Sequence, residues 1–120
     1  VEFYRDVLGL DVAARFDVSG SAFADAVDVA SAAGSFVHLD AGDVRVELVS
    51  YDPEGDPVDA DRVNRPGATH IGLAVDDVDA RYADLPADVE TLSEPRTTES
   101  GTRVLFLRDP EGNLVELLEF

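Results

Sequence analysis

Two segments of the chain, VRVELVSY over residues 44–51 and NLVELLEF over residues 113–120, share the core V-E-L followed by an aliphatic and, after one residue, an aromatic. A chain that repeats itself at a fixed offset is built from copies of one structural unit, so this repeat restricts the fold more than any other feature. The offset from Glu47 to Glu116 is 69 residues. Carried backwards, it aligns Asp40 with Asp109, and an apolar run precedes each, SFVHL before the first and RVLFL before the second. Each copy reads strand, tight turn, strand.

The second copy parses in full. Residues 68–75 (ATHIGLAV) follow the breaker Pro66-Gly67 and predict a strand. Asp76-Asp77 offers an N-cap for a short helix over Val78 to Leu85, which Pro86 ends. A strand near Val89 to Ser93 and an exposed loop from Arg96 to Gly101 come next, then a hairpin of Arg103 to Leu107 with Leu114 to Phe120. Asp109-Pro110-Glu111-Gly112 has the residues of its turn, with Pro fixing φ and Gly free to take positive φ. The order is β-α-β-β-β.

The first copy opens inside a helical pattern, Val1 to Leu8, that Gly9 stops. By analogy with the second copy, a strand of about ten residues is expected before Val1. A short helix is expected around Ala22 to Val29 in the longer 16–34 stretch. The fold class is therefore α+β, with two βαβββ modules of which the first lacks its N-terminal strand. The expected organisation is a single domain over 1–120, with module 1 at 1–52, a linker at 53–67 and module 2 at 68–120.

Charge sets the next limit. Nine arginines and no lysine stand against 26 acids, a formal net charge of −17. Acids spread over loops and exposed faces suit high intracellular salt, where the Debye length falls to about 3 Å in molar salt. No positive stripe for nucleic acid is present. No apolar run approaches the roughly 20 residues of a membrane span, so a soluble, cytoplasmic protein is expected. With no cysteine, any metal must be held by His, Asp or Glu.

Strand alternation places Glu116 with Leu114, Leu118 and Phe120, where an ionised carboxylate is costly unless paired. Its repeat mate Glu47 shares a face with Arg45, Val49 and Tyr51, so Arg45 is a candidate to neutralise it without a metal. His70 shares a face with Gly72 and Ala74, whose small side chains leave room above the strand. Two carboxylates and an imidazole suit a divalent cation. A hydrogen-bonded core histidine and solvated strand-end glutamates are the bland alternative. Arg96 and Arg103 flank a polar loop and are candidates to meet an anionic substrate, or surface ion-pair partners. His38 and Tyr51 are read as structural.

At FYRDVLGL (3–10), VELVSY (46–51), THIGLAVDDVDA (69–80) and RDPEGNLVELLE (108–119) the sequence resembles the vicinal oxygen chelate superfamily, the glyoxalase, bleomycin-resistance and extradiol-dioxygenase group. The resemblance implies paired βαβββ modules forming a cup around a divalent metal (nickel, cobalt, zinc, manganese or iron). Glu47, His70 and Glu116 would be its ligands, and a fourth, His or Gln, would lie in the strand before Val1. It further implies a homodimer and a glyoxalase-type lyase or isomerase acting on a small vicinal-oxygen substrate, with Glu116 as base. Its rivals are a methylmalonyl-CoA-type epimerase, an extradiol dioxygenase, and a metal-free protein that sequesters a drug or metabolite.

Overall fold

The computed structural model describes residues 1–58 and 62–120, so residues 59–61 of the expected 53–67 linker lie outside the described residues. The chain divides into two compact units, Val1–Pro57 and Val58–Phe120. Among the described residues no helix is long and apolar enough to cross a membrane.

The first unit opens with a π-helical turn, Phe3–Val7, in which the Leu8 N–H donates to the Phe3 carbonyl at 3.1 Å. Gly9, at φ +78°, turns the chain out of it, a conformation open to a residue without a Cβ. Strand β1 (Asp11–Val18), helix α1 (Ser21–Val27), β2 (Ala33–Asp40) and β3 (Arg45–Asp52) follow, giving an antiparallel sheet ordered β1-β2-β3. Phe3, Tyr4, Leu8, Ala32, Val37 and Leu39 are its buried apolar residues. Val37 and Leu39 alternate with Phe36 and His38, so β2 turns one side to the core and the other to a half-exposed face.

A bulge between Val12 and Ala14 decides what shares that second face. Val12 pairs with Leu39, but Ala14 rather than Ala13 pairs with His38, and Phe16 pairs with Phe36. Without the extra residue, Arg15 would stand opposite Phe36, because a slip of one position turns every later side chain over.

The second unit contains β4 (His70–Ala74), α2 (Val78–Ala83), β5 (Arg96–Thr97), β6 (Arg103–Arg108) and β7 (Leu114–Glu119), ordered β4-β7-β6-β5. β7 is central, parallel to β4 and antiparallel to β6. Leu105 and Leu107 pair with Leu117 and Val115, all at most 1 % exposed, and α2 packs on these two strands with Val78 fully buried. As expected, Asp77 caps α2, accepting from the Ala80 N–H at 2.8 Å, and Glu119 accepts from the Val78 N–H at 2.9 Å. The turn after β6 is held by the buried Asp109 carboxylate, which accepts from the backbone of Glu111 and Asn113 and from the Asn113 side chain. Gly112 takes φ +85° there.

Two expectations need correction. The strand expected at Val89 to Ser93 is reduced to a bridge from Thr91 to Leu107, and the regular pairing falls at Arg96–Thr97, inside the expected loop. Pro95 has no N–H to donate and interrupts the ladder between them. The offset between copies is also not uniform. It is 69 for Glu47 and Glu116, but their partners across the hairpin are His38 and Phe106, which are 68 apart. The second turn is one residue longer, so Asp109 lies in that turn while Asp40 ends a strand.

Candidate functional site

Each unit brings a histidine to the glutamate of its last strand. In the second unit Glu116 lies between Gly72 and Phe106, on the side of the sheet away from the buried residues that meet α2. His70 is on the same side, its Nε2 3.2 Å from Glu116 Oε2. The imidazole stands edge-on to Phe106, with centroids 5.1 Å apart at 71°. A Cβ on Gly72 would come within 3.0 Å of Leu118 Cδ1 and 3.6 Å of Glu116 Oε2, so the glycine keeps the space beside the carboxylate open.

In the first unit His38 stands directly across from Glu47, its Nε2 2.6 Å from Glu47 Oε2. Here the imidazole meets Phe16 edge-on, with centroids 5.0 Å apart at 89°. His38 was read as structural in the sequence, and Arg45 as the candidate partner of Glu47. Among the described residues Glu47 pairs with His38 and not with Arg45. The signal was the hairpin itself: once the turn is placed at residues 41–44, antiparallel pairing sets position 38 against 47. The chain's two histidines thus hold corresponding glutamates.

Around His38 and Glu47 the face is aromatic. Phe16 and Phe36 stack at 5.2 Å and 2°, Phe23 of α1 meets Phe36 at 5.9 Å, and Phe23 lies parallel to Tyr51 at 6.3 Å. Gly34 makes this possible, since a Cβ there would sit 2.6 Å from Phe36 Cε2 and 3.2 Å from Phe23 Cζ. Phe36 is flanked by Phe16 and Phe23 and has little freedom to swing away. Gly34→Ala is expected to destabilise the fold by about 1–3 kcal/mol through overpacking. A urea-unfolding midpoint equal to the wild type's would show that the rings yield freely.

The two candidate substrate arginines are placed differently. Arg96 pairs with Val104, on the Glu116 side of the sheet, and is exposed. Arg103 pairs with Glu119 on the helix side, where its guanidinium donates to both Asp79 oxygens, at 2.5 and 2.7 Å, and to Thr97. It fastens α2 to the sheet. Hydrogen bonding from Arg103 holds the Asp79 carboxyl below its ordinary value of 3.8. A lowered carboxyl pKa stabilises the fold above the ordinary value, and the gain disappears as pH falls through the lowered one. Thermal melts of wild type and Asp79→Asn should therefore differ slightly near neutrality and converge in strong acid. A gap that persists there would assign the effect to packing.

The donor chemistry suits a divalent metal in part. A nitrogen and an oxygen donor, each about 2.1 Å from one ion, lie a little over 3 Å apart, which the 3.2 Å between His70 and Glu116 matches. Within each unit, among the described residues, no third His, Asp or Glu joins the pair.

The model of the Glyoxalase/Bleomycin resistance protein/Dioxygenase superfamily matches residues 1–117. A glyoxalase family protein from Bacillus cereus superposes with a TM-score of 0.81 at 24% identity, over 95% of this chain and 80% of that one. Lactoylglutathione lyase from Agrobacterium tumefaciens gives a TM-score of 0.59 at 24% identity, over 98% and 80%. A glyoxalase I mutant from Zea mays gives 0.64 at 22%, over 98% of this chain and 38% of that one. No curated protein sequence matches the chain. At these identities the solved structures speak for the fold, and the family model for membership: the chain belongs to the glyoxalase, bleomycin-resistance and dioxygenase superfamily.

Proposed function

We propose that this protein is a glyoxalase-like lyase or isomerase acting on a small substrate with two neighbouring oxygens, a 2-hydroxycarbonyl or thiohemiacetal. The observation that supports this best is the approach of His70 to Glu116 beside Gly72, on an open side of the sheet. The proposed metal donors are His70, Glu116 and Glu47, and the active form proposed is a homodimer. A divalent ion, when bound, supplies a Lewis acid for two adjacent substrate oxygens. The chain's own groups do the rest. Glu116 takes the proton from the substrate carbon and returns it to the neighbouring one, as a positioned general base and acid. His70, braced edge-on by Phe106, holds its Nε2 beside that carboxylate as the second donor. The exposed Arg96 guanidinium offers an anionic substrate group a charge-assisted partner.

A second reading, a metal-free protein that sequesters a small molecule, is favoured by one observation: His38 already satisfies Glu47 at 2.6 Å without any ion. Metal analysis separates the two. Purified protein dialysed against nickel, cobalt, zinc or manganese is expected to retain one ion per chain, and His70→Ala and Glu47→Gln are each expected to lower the affinity at least about tenfold. Protein that retains no ion under these conditions rejects the metal enzyme. Retention of redox-active iron in place of the others would favour the dioxygenase, and turnover of an acyl-CoA stereocentre the epimerase.

A further inference from the structure

Helix α1 has less to hold it than the strands on either side. None of its seven residues is buried, and it has neither a side-chain N-cap nor a basic residue in its last turn. Isolated helices shorter than about 12 residues are marginal in water, so α1 persists through what it touches. The ring of Phe23 supplies that contact, edge-on to Phe36 at 5.9 Å and parallel to Tyr51 at 6.3 Å. Phe36 and Tyr51 lie on the side of the sheet that carries His38 and Glu47, so the segment joining β1 to β2 folds back over that side.

Both ends of this segment are bends that ordinary residues avoid. Gly20, at φ +104° and ψ 170°, enters α1 in a conformation open essentially to glycine alone, while a Cβ there would meet nothing within 4 Å. Backbone conformation, and not crowding, therefore governs that position. At the other end Asp28 and Ser31 are, among the described residues, the two non-glycine positions with positive φ, at +55° and +58°. Both are strained, and the strain relaxes when the segment lifts. Just beyond them Ala32, 2 % exposed, returns the chain to the core.

We propose that residues 20–31 form a hinged flap, latched by Phe23, that lifts as one piece while β1, β2 and β3 stay paired. Closed, it covers the end of the sheet at Gly34 and Phe36. Lifted, it uncovers the Phe36 ring and opens that side as far as Gly34, which controls how much of the side a ligand can reach. The flap lies within the first unit and does not depend on the proposed reaction or on a metal.

Hydrogen exchange followed by NMR tests this on the full chain, in a urea series below the unfolding transition. The reporters are the amides of Ala24, Asp28 and Val29, which donate to Gly20, Asp25 and Ala24. The references are Phe36 and Val37, consecutive residues of the central strand β2. The reporters should exchange at least about a hundredfold faster than the references and depend less on urea, because lifting the flap exposes little surface. Phe23→Ala removes the latch and Gly20→Ala strains the closed hinge. Each should speed the reporters about tenfold further and leave the references within about twofold. The reference amides also show whether a variant is folded, and one folded variant suffices. Reporters that match the references in rate and urea dependence overturn the proposal. So do wild-type reporters with no protection, which would leave no closed state, and so does a folded variant that leaves the reporters unchanged or speeds every amide alike.

Discussion

Glu116→Gln is expected to lower kcat/KM on a thiohemiacetal or 2-hydroxycarbonyl substrate by about 10²–10⁴, the range over which a positioned proton-transfer group contributes. The amide has nearly the shape of the acid, so the width of the space above Gly72 is preserved. It cannot accept a proton at neutral pH. Steady-state kinetics at saturating divalent metal, with metal content measured alongside, tests this directly. A variant that binds its ion and turns over at the wild-type rate would remove Glu116 from the chemistry. One that loses both ion and turnover would show Glu116 acting first as a ligand.

Salt is expected to change stability as strongly as any substitution. A net charge of −17 on 120 residues repels itself more in the compact chain than in the expanded one. A folded chain of this length has a radius of gyration of about 14 Å. Shortening the screening length from about 10 Å at 0.1 M to about 3 Å at 1 M should relieve on the order of 5 kcal/mol. At about 4 °C or more per kcal/mol, the melting temperature should rise by roughly 20 °C between these salts. Differential scanning calorimetry in KCl checks it. A midpoint that moves by only a degree or two would mean that the acids are neutralised locally, and that the composition has another origin.

How much of this could be read from residues alone varied with the range of the interaction. The second unit's β4, α2, β6 and β7 were legible because each has local punctuation: Pro66-Gly67 before the strand, Asp77 at the cap, Asp109 to Gly112 in the turn. Alternation gives the residues that share a side with Glu116 along β7 and with His70 along β4, while the register His70 to Leu114 is what puts the two on one side of the sheet. Three features did not follow. The bulge that puts Phe16 in place of Arg15 beside Phe36 is a choice between two registers, settled by pairing with β2 and invisible along β1 itself. The partnership of His38 with Glu47 needs the turn length, which differs by one residue between the copies and so defeats a uniform offset. The short β5 depends on where β6 offers free backbone groups after the interruption at Pro95. In each case the deciding contact lies across strands, where sequence spacing has little to say.

The central position of β7 has a consequence for how the protein fails. Its amides and carbonyls are bonded to neighbours on both flanks, so the segment around Glu116 is expected to exchange its amide protons only when the second unit opens as a whole. Heat inactivation of a Glu116-dependent activity should then coincide with the melting of that unit, with no earlier phase of local fraying to silence it.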